Sequence, residues 1–312
     1  MAILKNKHLI GLEDTPAEDI QKLIDTGFTF REVLDRPIKK VPSLMGQNVV
    51  NLFFENSTRT RISFELAEKR LSADVTNFSA SSSSVSKGEG LKDTIQNIHA
   101  MKMDCVVMRH PSPGSCLRLT QYVDAVVINA GDGTHEHPSQ ALLDMMSLQE
   151  KFNKIKGLKI AILGDILHSR VALSNIYGLI KMGAKVTLCG PLHLIPRGIQ
   201  NLGVEVNSDI DEVIEWADAL NVLRIQRERM GVGIIPSIRE YRDFFGITQE
   251  RLETHKKEII IMHPGPINRG VEIDSSVADG DQAIILDQVL NGVAIRMSIL
   301  YLLLGPDEGE QN

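Results

Sequence analysis

Residues 49–61 read VVNLFFENSTRTR and indicate the fold more clearly than any other stretch. The first six are mostly apolar and β-favouring, which is typical of a buried parallel strand. Ser57, Thr58, Arg59 and Thr60 then follow at a turn into a helix. Hydroxyls and guanidiniums at a helix start can join its free N–H groups in a phosphate cradle. The alternative is a capped helix with solvated arginines; we favour the phosphate site because a strand precedes it.

Seven more apolar runs alternate with stretches of helical spacing along the chain. They are residues 75–78, 105–108, 125–128, 160–163, 186–188, 219–223 and 259–262. Such alternation predicts an α/β fold with parallel sheets. Four strands in each half predict two doubly wound domains, each with a mainly parallel sheet, joined by long interdomain helices.

The length of 312 residues is about two domains' worth. We expect the first domain to cover residues 1–137 and a bridging helix to cover 138–151, opening at Pro138 because proline suits a first helical position. The second domain is expected at 152–287, and a C-terminal helix at 288–312 is expected to return to the first domain.

Composition narrows the classes of protein. Lys plus Arg is 34 and Asp plus Glu is 40, so the formal charge is −6, which argues against a dedicated nucleic-acid binder. Three cysteines without a Cys-x-x-Cys pair favour neither a structural zinc site nor a disulfide framework, and fit a reducing cytosol.

The start of the chain lacks a signal-peptide core, and the longest clean apolar run, 299–304, is far shorter than the ~20 residues that span a bilayer. We therefore expect a cytoplasmic protein with no membrane partner.

Cations or histidines follow nearly every predicted strand. They are Arg59, Arg61, Lys87, Arg109, His110, His135, His137, His168, Arg170, Arg224, Arg227, Arg229 and His263. Because ligands of open α/β sheets bind at the carboxyl ends of strands, this pattern predicts a cleft between the two domains that holds more than one anionic group.

Several of these residues also have a purely structural interpretation. Lys87 follows a serine-rich stretch that can be a flexible surface loop, and His137 can be a structural histidine. An arginine is not favoured near the positive end of a helix dipole. Function is one reason for Arg170 to lie there, and pairing with Asp165 is the alternative.

The sequence contains no Walker A loop, Gly-x-Ser-x-Gly elbow or His-Glu-x-x-His helix. His135 and His137, which flank Glu136, do not form a convincing metal-ligand pattern. We therefore expect chemistry by positioning and electrostatics, with no metal, no cofactor and no covalent intermediate.

Four motifs, in order along nearly the whole chain, resemble the carbamoyltransferase family. They are STRTR at 57–61, RHP at 109–111, HPSQ at 137–140 and HPGP at 263–266. Within the family, KGE at 87–89, RIQ at 224–226 and the HPGP motif resemble the aspartate members. The ornithine members have a cysteine in the position of the HPGP motif and a Ser-Met-Gly loop, and neither occurs here.

The resemblance implies a role for each motif. Carbamoyl phosphate would be bound in the first domain, with catalytic roles for four of its ligands, Arg59, Thr60, Arg109 and His137. Its complete set of ligands would be Ser57, Thr58, Arg59, Thr60, Arg109, His137, Gln140 and the backbone of Gly265 and Pro266. L-Aspartate would be bound mainly in the second domain, by Lys87, Arg170, Arg224 and Gln226. Ser83 and Lys87 would come from the neighbouring chain of a homotrimer.

The resemblance also implies a reaction: transfer of the carbamoyl group to the amine of aspartate, in pyrimidine biosynthesis. Family members occur as bare trimers or with regulatory chains or dihydroorotase. Two alternatives stay open from sequence alone, namely a different amino-acid acceptor and a non-catalytic anion-binding protein.

Overall fold

The computed structural model describes residues 4–79, 91–226, 237–255 and 258–305. The chain divides into two compact units. Unit 1 comprises Met1–Met146 and Leu290–Asn312, and unit 2 comprises Ser147–Val289. Each unit is built around its own parallel β-sheet.

Unit 1 contains a four-stranded sheet. Its strands are β1 (Asn48–Phe53), β2 (Asp74–Ser79), β3 (Cys105–His110) and β4 (Val126–Asp132). Their spatial order is β2-β1-β3-β4, and every pairing is parallel. The helices that begin in this unit are α1 (Ala17–Leu34), α2 (Thr58–Arg70), α3 (Leu91–Ala100), α4 (Ser115–Leu119) and α5 (Pro138–Phe152).

The central strands of unit 1 are buried because they are apolar on both faces. Val50, Leu52, Val106, Met108 and Val127 are almost inaccessible and lie in one core cluster. Full burial of an aliphatic side chain contributes about 1.5–3 kcal/mol, so these strands are firmly held. Their carboxyl ends are thereby fixed at one edge of the sheet.

Unit 2 contains a five-stranded sheet. Its strands are β5 (Lys159–Leu163), β6 (Lys185–Cys189), β7 (Glu205–Val206), β8 (Ala219–Val222) and β9 (Ile260–Met262), in the order β7-β6-β5-β8-β9. All pairings are again parallel. Short 3₁₀ helices cover Leu192–Leu194 and Ile199–Leu202, and the α-helices that begin here are α6 (Arg170–Lys181), α7 (Ile210–Trp216), α8 (Ile238–Phe245), α9 (Gln249–His255), α10 (Ser275–Ala278) and α11 (Ile285–Leu304).

The prediction of two parallel α/β sheets is confirmed, but the prediction of four strands in the second half is wrong. The additional strand, β7, pairs Glu205 with Thr187 and Val206 with Leu188 at the edge of the sheet. It has only two residues, which is too short for an apolar run or an alternation to be visible in the sequence.

Helix α11 is long and apolar enough to cross a membrane by length and composition, and in the described residues it is the one helix of which this is true. In the structure 67% of its apolar window is buried. Ala294, Ile295, Met297 and Ile299 are fully buried, as in a helix that contributes to a protein core.

Candidate active site

The carboxyl ends of β1 and β3 place Arg109 next to Glu55. The parallel register pairs Phe53 with Arg109, and the N–H of Phe54 donates to the carbonyl of Arg109 at 2.9 Å. The Arg109 Nε lies 3.3 Å from Glu55 Oε2, while its Nη1 donates to the carbonyl of Ala130 at 3.2 Å. The guanidinium is thus aimed along the edge of the sheet.

The STRTR motif forms the N-terminal turn of α2. Ser57 is the N-cap residue, its hydroxyl makes no capping hydrogen bond, and the first turn contains no acidic side chain. Thr58 and Arg59 are exposed, whereas Thr60 is buried. A helix start without an acidic side chain is electrostatically suited to an incoming anion.

A buried polar network builds the loop between β4 and α5. Asn129 donates from Nδ2 to Asp132 Oδ1 at 2.8 Å, and its Oδ1 accepts from the N–H of Gly131 at 2.7 Å. Asp132 also accepts from the N–H of Gly114 at 2.7 Å. Burial alone would raise the pKa of Asp132, but hydrogen bonds from His135 and Asn129 hold it below its usual value. The network fixes the segment that leads to His137.

His137 and Gln140 lie at the start of α5 and are almost completely buried. The N–H of Gln140 donates to the carbonyl of His137 at 2.9 Å. Gln140 Nε2 donates to Oδ1 of the fully buried Asp144 at 2.9 Å. Because a carboxylate only accepts hydrogen bonds, this contact fixes which end of the Gln140 amide faces Asp144.

Arg296 on α11 is a buried positive charge of unit 1. It is 4% exposed, its Nη1 donates to the carbonyl of Gly292 at 2.8 Å, and its guanidinium carbon lies 5.1 Å from the ring centre of Phe64. Burial lowers the pKa of Arg296 to about 10, and the negative charge of Asp144 opposes that shift. Asp144 is therefore electrostatically linked both to Gln140 and to Arg296.

In unit 2, Asp165 organises the turn that follows β5. Its Oδ1 lies 2.8 Å from His168 Nδ1 and accepts from the His168 N–H at 3.2 Å. The backbone N–H of Gln226 also donates to Asp165. Burial raises the pKa of Asp165, and the hydrogen bonds from His168 oppose that shift. The turns after β5 and β8 are thus joined.

The two predicted arginines of unit 2 lie on neighbouring strand exits. Arg170 is the first residue of α6, directly after the N-cap Ser169, whose hydroxyl accepts from the N–H of Ala172. It is 3% exposed. Arg224 and Gln226 follow β8 and are half-buried, with the buried Ile225 between them. Because β5 and β8 are adjacent, these side chains belong to the same edge of the sheet.

The HPGP motif follows β9. Its peptide bond between Gly265 and Pro266 is cis, and Gly265 has φ +62°, a conformation that favours glycine. The N–H of Gly265 donates to His263 Nδ1 at 2.7 Å, and His263 Nε2 lies 3.3 Å from Glu272 Oε1. The histidine and Glu272 are both buried.

Glu13, His135 and Glu136 are the group in the described part of the chain whose positions could hold a metal ion. Both oxygens of Glu136 already accept backbone N–H groups, from Leu12 at 2.7 Å and Glu13 at 3.1 Å. His135 Nδ1 lies 3.2 Å from Asp132. These contacts close the loop before α5 and explain the cluster without an ion.

Ser83, Lys87, Arg227 and Arg229 lie outside the described residues, so the structure places none of them. The other predicted site residues fall into one group in each unit. Ser57 to Thr60, Arg109, His137 and Gln140 lie in unit 1, and Arg170, Arg224, Gln226, Gly265 and Pro266 lie in unit 2.

Sequence reasoning missed Glu55, Asp144 and Glu272 as partners of these residues. An acid inside the apolar run 141–146 was the signal that could have revealed Asp144.

Two parallel α/β units that present arginines, histidines and hydroxyls at their strand exits are typical of enzymes that act on anionic small molecules. The family models give the class a name. Residues 7–150 match the carbamoyl-phosphate-binding domain of aspartate/ornithine carbamoyltransferase, and residues 156–303 match its aspartate/ornithine-binding domain. The chain belongs to the aspartate/ornithine carbamoyltransferase family.

Curated relatives match along almost their whole length. The aspartate carbamoyltransferase catalytic subunit of Christiangramia forsetii is 60% identical over 296 residues, covering 95% of this chain and 96% of the relative. The protein of the same name from Cytophaga hutchinsonii is 57% identical and covers 98% and 99% of the two chains.

Solved structures agree with this assignment. Aspartate transcarbamoylase from Trypanosoma cruzi in complex with carbamoyl phosphate is 31% identical, with a TM-score of 0.89 and coverage of 97% of this chain and 98% of that one. The catalytic subunit of aspartate transcarbamoylase from M. jannaschii is 37% identical, with a TM-score of 0.83 and coverage of 98% and 100%.

Proposed function

We propose that this chain is a catalytic chain that transfers the carbamoyl group of carbamoyl phosphate to L-aspartate, giving N-carbamoyl-L-aspartate and phosphate. The observation that carries the proposal is the 60% identity, over 95% of the chain, to a protein named aspartate carbamoyltransferase catalytic subunit. The two domain models, in order along the chain, agree with one unit for each substrate.

Most residues of the proposed carbamoyl phosphate site lie in unit 1, and Gly265 and Pro266 belong to unit 2. The N-terminal turn of α2, with Ser57, Thr58, Arg59 and Thr60, binds the phosphate group. Arg109, His137 and Thr60 donate to the carbonyl oxygen. The Gln140 amide and the carbonyls of Gly265 and Pro266 accept from the carbamoyl NH₂ group.

The proposed aspartate site uses the arginines of unit 2. Arg170 and Arg224 bind the two carboxylates in bidentate fashion, which suits a planar guanidinium, and Gln226 and Lys87 complete the set. The neutral amine of aspartate attacks the carbamoyl carbon, and the bond from that carbon to the phosphate oxygen breaks. The bonding electrons and the amine proton pass to the departing phosphate, so no side chain is required as general base.

Catalysis in this proposal is electrostatic. Negative charge develops first on the carbonyl oxygen, beside Arg109 and His137, and then on the phosphate, beside Arg59 and Lys87. Loss of one preorganised donor of this kind typically costs about 10²–10³ in rate. The substrate specificity follows from the two carboxylate-binding arginines, because ornithine has only one carboxylate.

The assembly and location are also part of the proposal: a homotrimer in the cytoplasm that acts in pyrimidine biosynthesis, with Ser83 and Lys87 contributed by the neighbouring chain. Ile62 and Leu66 support an interface, because they leave an exposed apolar pair one turn apart on α2, at 47% and 38% exposure. Cys105, Cys116 and Cys189 are free and buried, which is compatible with a reducing compartment. Regulatory chains or dihydroorotase are further partners to test by co-purification.

The proposed function is tested by phosphate release from carbamoyl phosphate with L-aspartate, with L-ornithine and with no acceptor. Release that depends on aspartate is expected. Release with ornithine alone would assign the chain to the other branch of the family, and carbamoyl phosphate binding without any turnover would indicate a binding protein.

A further inference from the structure

The buried carboxylate of Glu272 contacts two positions in the segment that follows β9 in unit 2. Its Oε1 accepts from the backbone N–H of Asn268 at 2.6 Å and lies 3.3 Å from His263 Nε2. Both the Glu272 and the His263 side chains are completely inaccessible to solvent. One carboxylate oxygen therefore connects two points of the segment that follows β9.

The contact with His263 fixes the tautomer of its ring. Nδ1 accepts from the N–H of Gly265 at 2.7 Å, so Nδ1 carries no proton. Nε2 must then carry the proton and donate to Glu272. Through this ring the carboxylate holds the backbone at Gly265, where the proposed function places two carbonyls against the carbamoyl NH₂ group.

Asn268 connects Glu272 to the segment that follows β8. Asn268 Nδ2 donates to the carbonyl of Ile225 at 3.3 Å. Ile225 is buried between Arg224 and Gln226, the residues proposed to bind aspartate. Glu272 orients the backbone of Asn268, and the Asn268 side chain orients the Arg224–Gln226 segment.

Stability alone is a weak explanation for this carboxylate. The second oxygen, Glu272 Oε2, is buried and has no hydrogen-bond partner among the described residues. A buried acceptor without a partner destabilises the folded state, so a smaller or apolar residue would serve packing equally well. The carboxylate is better explained by the two loops that it holds.

We propose that Glu272 is a positioning residue that sets the carbamoyl-binding loop at Gly265 and the aspartate-binding loop at Ile225 relative to one another. The proposal rests on the proposed function for the identity of the two substrates. In this proposal Glu272 itself contacts neither substrate.

The test compares steady-state kinetics of Glu272→Gln, Asn268→Ala and the double variant. Asn268→Ala removes only the link to Ile225, so the KM for aspartate should rise about tenfold while the KM for carbamoyl phosphate stays within about twofold. Glu272→Gln disturbs both loops and should raise both KM values and lower kcat about tenfold or more. The double variant should have an aspartate KM no higher than that of Glu272→Gln, because Glu272 reaches the Arg224–Gln226 segment through Asn268.

Asp274→Asn is the matched control, because Asp274 is a nearby acid whose carboxylate pairs with Arg242 through three hydrogen bonds of 2.9–3.2 Å. It should lower Tm without changing either KM. The proposal is overturned if Glu272→Gln behaves like this control, or if Asn268→Ala changes the two KM values equally.

Calorimetric titration of carbamoyl phosphate and of aspartate separates this proposal from the proposed function. A wild-type chain that binds both ligands without turnover contradicts the proposed function, and the same variants then report the two loops through their dissociation constants. A wild-type chain that binds neither ligand overturns both proposals.

Discussion

The Arg109 guanidinium forms an ion pair with Glu55, with Nε 3.3 Å from Glu55 Oε2, and its Nη1 donates to the carbonyl of Ala130 at 3.2 Å. The Arg109 and Glu55 side chains are 13% and 20% exposed, so the pair is only partly screened by water. The guanidinium is therefore oriented before any ligand binds, and it does not have to be ordered during the reaction.

We predict that Arg109→Ala lowers kcat about 10²–10³-fold, because a preorganised donor to the developing oxyanion is lost. Glu55→Gln is the control: the guanidinium and its contact with Ala130 remain, so its loss of kcat should be at least about tenfold smaller. Phosphate-release assays at saturating substrates measure both values. Equal losses in the two variants would show that Arg109 depends on Glu55 for all of its effect.

Asp144 is predicted to control the orientation of the Gln140 amide. In Asp144→Asn the new side chain can donate as well as accept, so the Gln140 amide can turn and present its NH₂ group to the carbamoyl NH₂. The KM for carbamoyl phosphate should then rise about tenfold, because a tenfold loss of affinity corresponds to the net free energy of roughly one hydrogen bond. Glu150→Gln, which removes a charge from the exposed end of α5, should leave the KM unchanged.

Asp144→Asn should also lower Tm, since it removes the negative charge that opposes the lowered pKa of the buried Arg296. Calorimetry of the variant would detect this loss. An unchanged KM together with a lower Tm would assign Asp144 a role in stability alone.

Glu68 is predicted to make stability depend on pH. It is fully buried on α2 and accepts from Asn51 Nδ2 at 2.8 Å. Burial raises its pKa from 4.5 to about 8. The folded chain thus binds this proton more tightly than the unfolded chain, so the contribution to stability is complete below pH 4.5 and is lost as the pH rises to about 8.

The slope from this one group is at most about 1.4 kcal/mol per pH unit within that window. Glu68→Gln should remove the slope and leave a protein that is more stable than the wild type at pH 8, as measured by urea unfolding. Glu32→Gln, at an exposed position of α1, should retain the wild-type slope. If Glu68→Gln also retained the wild-type slope, the slope would not come from Glu68. The Glu68 carboxyl group would then be ionised in the folded protein.

The shared site of the proposed homotrimer is tested by mixing two inactive chains, Arg59→Ala and Lys87→Ala. Every mixed ring of three contains one junction at which both residues are wild type, so mixed trimers should recover about a third of wild-type activity. Chain exchange is verified by mass spectrometry. Fully exchanged but inactive trimers would indicate that each site is built within a single chain.

The sheet edges could be predicted from sequence because they depend on local signals. The run 49–54 predicts β1, which spans Asn48–Phe53, and Pro138 predicts the start of α5, where the helix begins. Apolar periodicity and a proline in the first turn are local physical preferences, so they are readable without tertiary contacts.

The supporting residues could not be predicted in the same way. Glu68 and Glu272 are completely buried, yet a glutamate in a sequence suggests a surface position, because this residue type is almost never fully buried unless it is paired. Their partners, Asn51 and His263, lie 17 and 9 positions away. Only the packed structure brings such pairs together.

The separation of the two predicted substrate sites between two sheets has a consequence for evolvability. The residues expected to choose the acceptor, Arg170, Arg224 and Gln226, lie on turns after β5 and β8 in unit 2. Substitutions in these turns leave the β1–β3 edge and the start of α2 unaltered. A new amino-acid acceptor can therefore be selected, in nature or in the laboratory, by changing a few loop residues while the machinery for the activated carbamoyl donor is inherited intact.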